Sequence, residues 1–99
     1  MSGELAIPQD AVRDFCVKHH IRKLSLFGSV LRPDFGPDSD VDVLVEFEEG
    51  HTPGLKFFEM EFELSEIMGR KVDFNTPGFL SHLFRDRVLR EAKLQYAAA

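Results

Sequence analysis

A carboxylate inside an apolar strand is costly unless it has a partner. This 99-residue chain places two in one run, Ser39-Asp40-Val41-Asp42-Val43-Leu44-Val45. Side chains alternate between the faces of a strand. Val41, Val43 and Val45 therefore share one apolar face. Asp40 and Asp42 share the other, followed by Leu44 and Glu46. The pattern predicts a strand buried on one side and carrying two carboxylates near its start on the other.

Two like charges this close disfavour joint ionisation, and a divalent cation relieves the conflict. Hard cations such as Mg²⁺ choose carboxylate oxygen and keep positions for water or substrate phosphate. A third carboxylate would allow a two-metal arrangement. Asp73, in Lys71-Val72-Asp73-Phe74, is the candidate: Val72 and Phe74 face the core, so Asp73 faces away. An Asp-x-Asp pair alone often marks only a turn entering a strand. The preceding residues change that balance. Gly28-Ser29 directly follows the strand-like Lys23–Phe27. A glycine permits close backbone approach, and a serine hydroxyl with free N–H groups can hold a phosphate. Arg32 lies one helical turn beyond Ser29 and would add positive charge.

The remaining elements follow from periodicity and turn residues. Pro8 to His20 reads as a helix with Val12, Phe15, Cys16 and His19 at helical spacing. Residues 33–38 read as a loop, and Asp40 to Phe47 as a second strand. Leu55 to Met68 reads as a helix with Gly69 at its C-cap. Lys71 to Asn75 is a short third strand, Thr76-Pro77-Gly78 a turn, and Phe79 to Gln95 a last helix. A further short helix can begin at Ser29. The expected fold is α/β (α+β), a small mixed three-stranded sheet packed with helices. One domain spans residues 1–99, with residues 1–7 and 96–99 as tails.

Composition narrows the function. A formal net charge of −5 argues against general nucleic-acid binding, which needs a basic surface. The single cysteine, Cys16, cannot form an internal disulfide and reads as a small buried residue. No apolar run approaches the ~20 residues that span a membrane. The N-terminus lacks a signal-peptide profile, so a cytoplasmic protein is expected.

The combination Gly28-Ser29-Val30-Leu31-Arg32 with Ser39-Asp40-Val41-Asp42-Val43-Leu44-Val45 resembles the signature of the nucleotidyltransferase superfamily with the DNA polymerase β-like fold. The resemblance is closest to the minimal nucleotidyltransferases, the MntA-like antitoxins, and covers nearly the whole chain. Asp73 sits where that family places its third carboxylate. Leu31 and Pro33 depart from the small residue and glycine usual around the motif arginine.

The resemblance implies transfer of AMP from ATP with release of pyrophosphate, and two Mg²⁺ ions. Asp40, Asp42 and Asp73 would be catalytic and metal-binding; Gly28, Ser29, Arg32 and Ser39 would bind the nucleotide. The implied acceptor is a hydroxyl, expected to be a tyrosine, on a partner HEPN-domain toxin. Two alternatives stand beside it: an antitoxin that neutralises its toxin by complex formation without catalysis, or nucleotidyl transfer to RNA or a small molecule.

Other residues read more plainly. Phe57, Met60, Leu64, Ile67 and Met68 form one stripe on the helix over 55–68. Leu55, Phe58 and Phe62 form a second, which a neighbouring helix is expected to cover; left open, it would mark a protein interface. His19-His20 ends the first helix, and His51 and His82 show no ligand spacing. Arg85, Arg87 and Arg90 suit a solvated face. Tyr96, the only tyrosine, reads as a packing residue.

Overall fold

A computed structural model describes residues 7–31, 35–36, 38–51, 53–80 and 82–98; for Ser29, Phe79, His82 and Phe84 it describes the backbone only. The chain runs α1 (Gln9–Lys18), β1 (Ile21–Phe27), a 3-10 turn (Gly28–Leu31), β2 (Val41–Phe47), α2 (Lys56–Met68), β3 (Val72–Asn75), a second 3-10 turn (Pro77–Phe79), α3 (His82–Glu91) and β4 (Lys93–Ala97). The sheet order is β3-β2-β1-β4. β1 is antiparallel to both β2 and β4, while β2 and β3 are parallel. The mixed sheet follows from connection lengths: residues 28–40 fold back between antiparallel neighbours, whereas α2 supplies the crossover a parallel pair requires.

The strand valines do as their alternation dictates. Val41, Val43 and Val45 are fully buried. Across the sheet Leu24 pairs with Val45, Leu26 with Val43, Val72 with Val41 and Phe74 with Val43, so one face is apolar throughout. Val12, Phe15 and Cys16 of α1 and Phe57, Met60 and Leu64 of α2 complete that core. Tyr96 packs against its margin, as does Ile7, which had been assigned to the tail. β1 begins at Ile21, two residues before its alternation starts. A register shift between Ile21 and Lys23 lets Ile21 and Leu24 both point inward, which strict alternation forbids.

Two parts of the sequence-based expectation need correction. The sheet has four strands rather than three. α3 stops at Glu91, and Lys93–Ala97 forms β4, so Tyr96 and Ala97 lie in a strand instead of a tail. The segment Glu91-Ala92-Lys93-Leu94-Gln95 is rich in good helix formers, and pairing with β1 overrides that local preference. The second stripe on α2 is also uncovered: Leu55, Phe58 and Phe62 are 86%, 67% and 68% exposed.

α2 ends as its sequence predicts. Gly69 adopts φ 68, and Arg70 N–H donates to Ser65 O across the last turn. The same helix protects the outer edge of β3. Ser65 Oγ accepts from Val72 N–H at 3.0 Å, and Glu61 Oε2 accepts from Phe74 N–H at 2.8 Å. Side chains thus take the place of a further strand. No helix among the described residues is long and apolar enough to cross a membrane.

Candidate active site

The site lies where β1 ends and β2 and β3 begin. Phe27 pairs with Asp42, and Asp42 pairs with Asp73 in parallel register. Residues level on adjacent strands put their side chains on the same face, about 4.8 Å apart. Asp42 is half-buried and Asp73 exposed. Asp40 immediately precedes β2 and shares the face of Asp42 by alternation. It is exposed, and its Oδ2 lies 3.9 Å from Lys71 Nζ. Val41 N–H donates to Lys71 O at 2.9 Å, tying the entrances of β2 and β3 together.

Gly28 explains how the β1 exit can lie against these carboxylates. It takes φ +71, a left-handed conformation that glycine adopts without a Cβ penalty. A Cβ built there would lie 3.1 Å from Asp42 Cγ and closer still to its Oδ2. The missing side chain is therefore the space that Asp42 occupies. Gly28 and the backbone of Ser29 open the 3-10 turn directly beside Asp42. Arg32 lies outside the described residues.

The loop before Asp40 is held from the turn between α2 and β3. Arg70 Nη2 donates to Gly36 O and, at 3.1 Å, to Ser39 O. Its guanidinium also lies over the Phe35 ring, 4.4 Å from the centroid. Gly36 N–H donates to Ser39 Oγ, and Ser39 N–H to Gly36 O, both at 3.1 Å. Ser39 thus closes the loop that delivers Asp40. The sequence reading missed Arg70 and Lys71. The basic pair just ahead of β3 was their only signal, and it says nothing about a loop over thirty residues upstream.

The donor set suits a hard divalent cation. Asp42 and Asp73 offer carboxylate oxygens side by side, Asp40 adds a third group on the same face, and Gly28 leaves room for them. The three aspartates are not drawn into a tight cluster. Among the described residues, the group whose ligand atoms all lie within 4.8 Å of one another is His20, Glu48 and His51, at the opposite end of the β1–β2 hairpin.

Comparison with known proteins places the chain by family and fold. A nucleotidyltransferase domain model matches residues 10–94. The protein adenylyltransferase MntA of Thermococcus cleftensis is 42% identical over 72 residues, covering 72% of this chain and 71% of that protein. A solved structure described as a "putative minimal nucleotidyltransferase" has 38% identity and a TM-score of 0.70, covering 85% of both chains. A chain from the solved complex of the tri-AMPylated Shewanella oneidensis HEPN toxin with MNT antitoxin shares the fold. Its TM-score is 0.65 at 16% identity, covering 91% of this chain and 70% of that one. With a domain match across residues 10–94 and the glycine turn set beside paired aspartates, this chain belongs to the nucleotidyltransferase family, among its minimal members.

Proposed function

We propose that this protein transfers AMP from ATP to a hydroxyl, a tyrosine's, on a partner HEPN-type toxin, and so acts as its antitoxin. The observation that carries the reading is the level pairing of Asp42 with Asp73 beside the side-chain-free Gly28. The relative named as a protein adenylyltransferase and the AMPylated toxin complex sharing the fold support the choice of a protein acceptor. A cytoplasmic location accords with an ATP donor.

Asp40, Asp42 and Asp73 would hold Mg²⁺, two ions in the full arrangement. When bound, the metal neutralises triphosphate charge and the charge that develops on transfer. Gly28 and the Ser29 backbone would receive the terminal phosphates beside Asp42, whose close approach a Cβ at Gly28 would block. By the family resemblance Arg32 would add positive charge for the phosphates, and the loop closed by Ser39 would keep Asp40 directed at the nucleotide. Asp73, the exposed member of the pair, lies on the side open to an incoming hydroxyl and takes its proton. The hydroxyl oxygen bonds to the α-phosphorus as the bond from that phosphorus to the β-bridging oxygen breaks. Pyrophosphate leaves with the electron pair. Most of the work is positioning and charge compensation, which a small domain can supply.

The test is the intact mass of the partner toxin after incubation with this chain, ATP and Mg²⁺. One or more added AMP masses are expected, and none with Asp40→Asn plus Asp42→Asn. A stable complex with no mass change, or full toxin protection by the double variant, would reject catalysis in favour of occlusion.

A further inference from the structure

At the far end of the β1–β2 hairpin, about 20 Å from the aspartates at ~3.3 Å per strand residue, three metal-ligating side chains meet. His20 precedes β1, Glu48 follows β2, and His51 lies three residues on. One ligand atom from each falls within 4.8 Å of the others. The imidazoles of His20 and His51 are stacked, centroids 3.9 Å apart and planes 16° from parallel. Glu48 Oε1 is 4.0 Å from His20 Nδ1.

The backbone holds these residues in place. Glu48 N–H donates to His20 O at 2.9 Å, and His51 N–H donates to Glu48 O at 3.0 Å. Gly50, at φ +81, lets the chain turn between Glu48 and His51. The backbone at His20 is itself unusual. At φ 58 it is the only described non-glycine residue with positive φ. The left-handed turn follows the α1 C-cap His19 and swings the chain from the helix into β1, which sets the position of the His20 ring.

We propose that His20, Glu48 and His51 bind one divalent transition cation of the zinc class. Two imidazoles and one carboxylate form a known zinc donor set, with the fourth position left for water. Imidazole nitrogen separates this site from the all-oxygen aspartate site, which selects Mg²⁺. Tetrahedral bonds of ~2.0–2.2 Å require donor atoms about 3.3–3.6 Å apart. All three side chains reach solvent, so rotamer changes can close the remaining gap. The bound cation would staple the α1–β1 turn to the turn leaving β2. Turned out of their stack, the two imidazoles would each direct one ring-nitrogen lone pair at the cation, and Glu48 would supply a carboxylate oxygen.

Isothermal titration with Zn²⁺, and with Co²⁺ for its absorption bands, tests this on the full chain stripped of metal by chelator. One equivalent should bind, with tetrahedral cobalt bands and a raised melting temperature. His20→Asn retains access to the left-handed backbone, and His51→Gln is a surface change; circular dichroism checks that both remain folded. Each should weaken Zn²⁺ at least tenfold, whereas Asp42→Asn with Asp73→Asn should leave the affinity unchanged. Undiminished binding in both histidine variants, loss only in the aspartate variant, or no binding at 100 μM (about 5.5 kcal/mol of affinity) would each overturn the proposal.

Discussion

Gly28 and Asp42 depend on each other. Gly28→Ala would force a Cβ into the Asp42 carboxylate and impose a left-handed backbone that costs about 1–2 kcal/mol for a non-glycine residue. Denaturant titration should show a loss of that size. Transfer activity should fall roughly a hundredfold, because a small displacement at a reacting centre is felt strongly. Unchanged activity would mean the close approach is dispensable. At this scale the sequence was highly legible where chemistry departs from packing. An aspartate among valines has few uses, and the Asp40, Asp42 and Asp73 face followed from alternation. It was less legible where a residue acts on backbone. Ser39 matched a motif, which did not reveal that its hydroxyl also accepts from Gly36 N–H inside the loop. His51 showed no ligand spacing because its neighbours, His20 and Glu48, meet it through the turns at the hairpin end.

Between elements, α1 is clasped to α2 by Glu63, which accepts from Lys18 Nζ at 2.5 Å and meets His19 Nε2 at 3.0 Å. Burial pushes the Glu63 carboxyl upward, but the hydrogen bonds and charges of Lys18 and His19 outweigh it. The net value lies below the ordinary 4.5. A lowered carboxyl stabilises the fold fully above its unfolded value and loses that contribution as pH falls through the folded value. Glu63→Gln should therefore lower the melting temperature at pH 7, with the gap to wild type narrowing below about pH 4.5. A gap independent of pH would remove charge from the explanation. Elements with strong periodicity and clear stops, α1 and α2 among them, were readable to within a residue or two. β4 was not, because its residues favour a helix locally and only β1 makes them a strand. The uncovered stripe of Leu55, Phe58 and Phe62 was likewise open to two readings, since periodicity marks an apolar face without saying what covers it.

For the molecule as a whole, Cys16 gives a single-site report on opening. It is fully buried between the helices and the sheet, and burial pushes its thiol up to about 12. Only the thiolate reacts, so the folded protein is protected by both inaccessibility and protonation. Mass spectrometry of thiol labelling at pH 8 should show very slow modification in buffer and rapid modification in denaturant. Variants such as Gly28→Ala should label faster in step with their lost stability. Rapid native labelling would contradict the packing around α1.

The parallel pairing of β2 with β3 divides the carboxylates between two stages of assembly. A chain that had formed only the β1–β2 hairpin would own Gly28, Asp40 and Asp42 and still lack Asp73. That residue arrives after α2 has crossed the sheet, closing a loop of roughly thirty residues, which is the slower kind of contact to make. The two halves of the pair are thus a coincidence detector for the finished fold. A chain cut short before β3 cannot present both aspartates at one level, so on the proposed mechanism transfer activity would report that the β2–α2–β3 unit has formed.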